Sequence, residues 1–191
     1  NIWLEILQRD WMSKKRAAVR LSAAAEMGDI VGAASVLDLM ANRAIIPSCN
    51  DYGLAICACK NSNHSRRHEV AIYLFDTMIR KSIQPKAVTF LNLVGAHRTA
   101  PLHQIEDVLS KMSACRIIPN QDVTEAYVNA LFEDRETLSK VSDKEAFIQL
   151  ISQTSSQRQQ AARRFLQDMT SQGIELSGPC SRALQYLQKQ T

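Results

Sequence analysis

A motif that returns four times constrains this chain more than any other feature. Each copy is anchored on a methionine: Met40, Met78, Met112 and Met169. Seven residues earlier stands Ala33, Ala71, Ile105 or Ala162, and four and three residues earlier stand the pairs Val36-Leu37, Leu74-Phe75, Val108-Leu109 and Phe165-Leu166. Those offsets lie on one face of a helix with 3.6 residues per turn, so each copy predicts an amphipathic helix turned toward a core. Five residues after each methionine comes an isoleucine, Ile45, Ile83, Ile117 or Ile174. Two positions further on stands Pro47, Pro85 or Pro119, with Leu176 in the fourth copy. Proline cannot continue a helix and drives its predecessor toward extended backbone, so the chain must stop and reverse there.

A second apolar stretch follows each boundary. It reads Tyr52, Ala55, Ile56 and Cys59 in one repeat, Leu91, Val94 and Ala96 in the next, then Val123, Ala126, Tyr127, Ala130 and Leu131. Ahead of the first boundary Ala17, Ala18, Leu21, Ala24 and Ala25 predict a helix that ends near Gly28, a fitting C-terminal cap. Trp3, Leu4, Leu7 and Trp11 predict a helix covering the open end of the stack, and Ser177 to Gln190, with Ala183, Leu184 and Leu187 inward, predicts the last one. The third interval between methionines holds roughly twenty more residues than one helix–turn–helix needs. Ser142 with Glu145 has the form of a capping box, and Ala146, Phe147, Leu150 and Ile151 supply an apolar face. An additional helix is therefore expected near residues 143–152, followed by a polar break at 153–156.

The fold expected from this pattern is all-α, an α-solenoid of stacked antiparallel helix pairs forming one domain over residues 1–191. Its parts are a capping helix at 1–13, repeats at 14–48, 49–86, 87–120 and 121–177, the last with the inserted helix, and a C-terminal helix at 178–191. Composition agrees: hydrophobic residues are 46% and charged residues 22% of the chain, enough apolar surface to build a core. No run shows the alternation of a half-buried strand. The 5 cysteines, Cys49, Cys57, Cys59, Cys115 and Cys180, are odd in number and irregular in spacing, which reads as reduced thiols in a reducing compartment. No apolar run approaches the roughly 18 to 20 residues that span a bilayer. The start at Asn1 reads as a processed product or a fragment.

Chemistry finds little foothold. There is no glycine-rich phosphate loop, no His-Glu metal motif and no nucleophile elbow, so no enzyme and no cofactor is expected. Cys57, Cys59, His64 and His68 contain zinc ligand types, but two cysteines two apart on a helix diverge, whereas converging ligands sit three or four apart. No metal is expected there. The segment from His64 to His68 reads instead as an enlarged turn and a docking point for a partner.

The unit Ala33-x-x-Val36-Leu37-x-x-Met40, with Ile45 and Pro47 after it, resembles the second helix and exit turn of the pentatricopeptide repeat family. The stretch Pro85-Lys86-Ala87-Val88-Thr89-Phe90-Leu91-Asn92-Leu93-Val94 is similar to that family's entry into a first helix. The resemblance extends from Lys14 to Phe132 and more loosely from Ala161 to Leu187. It implies a concave surface lined by first helices, and single-stranded RNA bound in mitochondria or chloroplasts, one base per repeat. The base-reading positions it carries over are Ala18 with Ser48, Gly53 with Lys86, Leu91 with Asn120, and Glu125 with Ser177. Alanine, glycine and leucine offer no side-chain hydrogen bond, and lost bidentate discrimination is of order 1 to 3 kcal/mol per base. Basic clusters at Lys14, Lys15, Arg16 and Arg20, at Arg66 and Arg67, and at Arg158, Arg163 and Arg164 are the candidates for phosphate contacts, on a net charge of only +4. The expected function is a non-catalytic scaffold or adaptor subunit, soluble or peripheral to a membrane complex, that holds protein subunits of an organellar assembly. The alternative is an organellar RNA-binding factor for transcript processing, stability or translation, contacting single-stranded or ribosomal RNA.

Overall fold

The structure is a computed structural model that describes residues 13–132 and 144–190. Among those residues it is all-helical, with ten helices and no strand. They are α1 (Lys14–Met27), α2 (Ile30–Asn42), α3 (Cys49–Asn61), α4 (Arg67–Arg80), α5 (Ala87–Ala96), α6 (Leu102–Ala114), α7 (Gln121–Leu131), α8 (Lys144–Gln153), α9 (Ser156–Ser171) and α10 (Gly178–Gln188). The helix expected over residues 1–13 lies outside the described residues apart from Ser13, and so does the Ser142–Glu145 capping box in its side chains. The inserted helix expected near 143–152 is present as α8, with Phe147 and Ile151 buried. The chain divides into two compact bodies, Asn1–Pro85 and Lys86–Thr191.

Helices α2, α4, α6 and α9 carry the methionine motif and bury the predicted face. Met40, Met78, Met112 and Met169 are all in the core, as are their partners seven and four residues back. Leu109 alone among the sixteen motif positions is only half-buried. Each fully buried Leu, Phe or Met contributes about 1.5 to 3 kcal/mol through removal of apolar surface from water.

The isoleucine at the fifth position beyond each methionine has a backbone role. The N–H groups of Ile45, Ile83, Ile117 and Ile174 donate to the carbonyls of Met40, Met78, Met112 and Met169 at 2.9, 3.1, 3.1 and 3.0 Å. These are the long bonds of a Schellman closure, which satisfies helix-end carbonyls and sets an apolar residue against the last turn. The closure requires left-handed backbone one residue before each isoleucine, and there stand Ala44, Ser82, Arg116 and Gly173 at φ 54, 57, 57 and 77. An L-residue other than glycine is strained in that conformation by about 1 to 2 kcal/mol. Ala44→Gly, Ser82→Gly and Arg116→Gly are therefore each expected to stabilise the protein by about 0.5 to 1 kcal/mol, the gain in strain less the added freedom of the unfolded chain. Urea midpoints for the three single variants check this, and a uniform loss of stability would contradict it.

In the first body α1 lies against α2 and α3, and α3 against α2 and α4. Gly28 ends α1 with φ 66, as its place after the alanine-rich stretch predicts, and Asp29 N–H closes back on the Ala24 carbonyl at 2.9 Å. Asn61, at the end of α3, donates its side-chain amide to the Ala25 carbonyl at 2.8 Å, so one helix terminus caps another. In the second body α5 lies against α6 and α7, α7 also against α6, α9 and α10, and α9 against α10. The predicted inward face of α5 needs correction. Leu91 is only half-buried, while Phe90, Leu93, Val94 and Ala96 are in the core. Starting the helix at Ala87 puts Phe90, Leu93 and Val94 on one face and turns Leu91 about 100° away from Phe90.

Candidate functional site

The residues that follow Pro47, Pro85, Pro119 and Leu176 are helix N-caps. The Ser48 hydroxyl donates to the Asp51 carboxylate at 2.7 Å and accepts from Asp51 N–H at 3.4 Å, while the carboxylate accepts from Ser48 N–H at 2.7 Å. Asn120 accepts from Val123 N–H at 3.0 Å, and Ser177 from Cys180 N–H at 3.5 Å. Lys86 is the N-cap of α5 and its N–H donates to Thr89 Oγ1 at 3.1 Å. Three of the four partner positions thus spend a side-chain oxygen on an orphan backbone donor. Of their first-helix counterparts, Ala18, Leu91 and Glu125 are half-buried and Gly53 is buried.

The basic candidates differ in burial and in the partners they meet. Arg67 and Arg158 correct the expectation of phosphate contacts, because both are buried. Arg67 donates to the Ser62 carbonyl at 2.8 Å, beyond the end of α3. Arg158 donates to the carbonyls of Ala130, Leu131 and Ala100 at 3.1, 3.3 and 2.8 Å. A guanidinium has five N–H donors in a fixed fork, and helix ends hold carbonyls without intrahelical partners, which explains the match. Arg20 faces Asp29 at 3.6 Å, and Arg66 is paired with Glu69. That hydrogen bond from Arg66 holds the Glu69 carboxyl below the usual carboxylate range. Lys14, Lys15 and Arg16 are exposed in the first turn of α1, Arg163 is half-buried, and Arg164 is exposed on α9.

A groove opens between α6 and α9 in the second body. Two hollows of about 440 and about 470 Å³ share Leu109 and Phe165 and so run into each other. The first takes in Leu102 and Glu106 from α6 and Gln160 and Arg164 from α9. The second takes in Ser113 and Arg116 on one wall and Asp168 and Gln172 on the other. Residue numbers rise in the same direction along both walls, so the two helices flank the groove side by side. Tyr127 of α7 closes its floor, its ring 4.4 Å from that of Phe165 and tilted by 53°. Burial, followed by the nearby Glu106 charge, pushes the Tyr127 hydroxyl above its ordinary range, so it stays neutral there. Sequence reasoning took Leu109 as core; its half-exposure is where this groove opens. The enlarged turn also has a hollow beside it, about 340 Å³, lined by His64, Arg66, Glu69, Val70 and Tyr73.

The zinc-type residues do not converge. Cys59 is in the core while His64 is exposed, and among the described residues no group of three or more His, Cys, Asp or Glu could hold a metal ion. All five cysteines are free thiols, with Cys59 and Cys180 buried and the other three half-buried. Burial pushes the Cys59 thiol from 9.0 up to about 12 and the Cys180 thiol from 9.0 up to about 11. Because the folded values are the higher ones, this contribution to stability is whole below pH 9 and is lost as the pH rises toward 11 and 12. Stability is expected to fall by several kcal/mol over that window, and less steeply in Cys59→Ala. Urea midpoints at successive pH values check it; an identical slope in the variant would contradict the assignment.

No helix among the described residues is long and apolar enough to cross a membrane. In comparisons with known proteins the chain matches no family model, and no curated protein matches it.

Proposed function

We propose that the chain is a non-catalytic helical-repeat adaptor, a degenerate member of the pentatricopeptide repeat type whose stacked antiparallel helix pairs hold protein subunits of a mitochondrial or chloroplast assembly. The observation that carries this reading is the state of the base-reading positions. Ala18, Gly53 and Leu91 have no polar side-chain atom, and the oxygens of Ser48, Asn120 and Ser177 serve their own helices. A nucleobase set against those pairs would find its edge unpaired. The engagement of Arg20, Arg66, Arg67 and Arg158 within the protein points the same way, since it leaves less positive charge for a polyanion. The single closing geometry shared by four methionine helices supports the repeat reading.

RNA binding, the second reading, has one observation in its favour. Lys14, Lys15 and Arg16 stand in the first turn of α1, with no acidic residue there to offset them, where the helix dipole disfavours cations and an anion would relieve the strain. Titration of the protein with random-sequence single-stranded RNA over a salt series separates the two. The adaptor reading expects weak binding with a shallow slope, and submicromolar affinity that drops steeply with salt would overturn it. A stoichiometric protein assembly that survives nuclease is its positive counterpart.

A further inference from the structure

We infer that the groove between α6 and α9 is a seat for one amphipathic helix of a partner protein, about fourteen residues long, with an apolar stripe and a defined order of charges on its two flanks. The inference deepens the adaptor reading and rests on it for the existence of a protein partner. Its floor is apolar, with half-exposed Leu109 over the buried rings of Phe165 and Tyr127, and it continues at one end to Ile118, which is 71% exposed. From Leu102 to Ser113 along α6 the groove measures about 17 Å, close to three turns of helix, and it runs on past the helix end to Arg116 and Ile118.

Two features of the groove choose the occupant. Its walls are helices, whose main-chain groups bond within themselves, so no strand edge is on offer among the described residues. An extended peptide would lose its own backbone hydrogen bonds to water on that floor, whereas a helix brings its bonds with it. The charges then set the order of signs on each flank. On one side Glu106 of α6 precedes Arg116, which stands in the exit turn after that helix, and on the α9 wall Arg164 precedes Asp168 by about 6 Å. A complementary helix carries a cation and then an anion along its α6-facing flank, and an anion followed four residues later by a cation along the other. These four lining charges sum to zero, which gives a polyanion no net attraction.

The probe is a cross-linked, fluorescein-labelled helical peptide with a leucine stripe and charges in that order. Its control exchanges every Lys with Glu. Fluorescence anisotropy against the full chain is expected to show the matched peptide binding about tenfold more tightly than its control. The double variant Arg164→Glu/Asp168→Lys changes two exposed side chains, so circular dichroism should stay unchanged while the preference shrinks severalfold or inverts. Equal affinities for the two peptides, no binding of either, or displacement of the matched peptide by single-stranded RNA overturns the inference. Failure here is distinct from failure of the adaptor reading. If the nuclease-resistant assembly forms with wild type and persists in the double variant, the adaptor stands and the groove is not its seat.

Discussion

Replacing Arg158 with alanine is expected to cost the second body about 3 to 5 kcal/mol. The side chain is 8% exposed, and its removal strands the carbonyls of Ala100, Ala130 and Leu131 without their donor while opening a cavity. Lysine should recover only part of the loss. An ammonium is a point charge without the planar fork, and it cannot serve the Ala100 side and the α7 terminus together. The measurement is urea unfolding followed by a reporter in residues 86–191, comparing wild type, Arg158→Ala and Arg158→Lys. A loss below about 1 kcal/mol in the alanine variant would show that water takes over those carbonyls, and the bracket would lose its importance.

Gly28→Ala is expected to be nearly as damaging, for a different reason. The backbone there has φ 66, and a Cβ would lie 2.8 Å from the Asn61 carbonyl oxygen and 2.9 Å from Ser62 Cα. Both contacts are main chain and cannot swing aside. The left-handed penalty of about 1 to 2 kcal/mol then adds to overpacking of about 1 to 3 kcal/mol. Gly173 offers the control. It has φ 77 with nothing within 4 Å of an added Cβ, so Gly173→Ala should show the conformational penalty alone. Melting curves of the two variants would reveal the difference as a markedly larger drop in Tm at position 28. Equal drops would mean that α1 and α3 separate without cost at that point.

Much of the helical framework could be read before any coordinates, because the information was local. Offsets of seven, four and three residues name the buried face of α2, α4, α6 and α9, and a glycine after an alanine-rich run marks the end of α1. The inserted helix α8 was expected from the capping-box form of Ser142 and Glu145 together with the apolar spacing that follows. What escaped depended on distant contacts or on residues that carry no signal. Ala44, Ser82 and Arg116 adopt left-handed backbone although none of them advertises it, and only Gly173 could have been guessed. Arg158 sits in a run of Arg and Gln that reads as a solvated face, yet its partners lie in α7 and just after α5. Leu109 fits the motif and is half-exposed because the separation of α6 from α9 decides its burial. The base-reading positions, by contrast, were placed by resemblance, and their chemistry was already plain from side-chain type.

The shared exit turn also says something about handedness. At Ala44, Ser82 and Arg116 an L-amino acid holds a pose natural to its mirror image, and all three side chains face solvent. A D-alanine introduced there by chemical synthesis would sit without strain, since the steric clash that penalises the L form is reflected away. Those corners are accordingly places where the peptide can be made unreadable to proteases while the interior is left as it is.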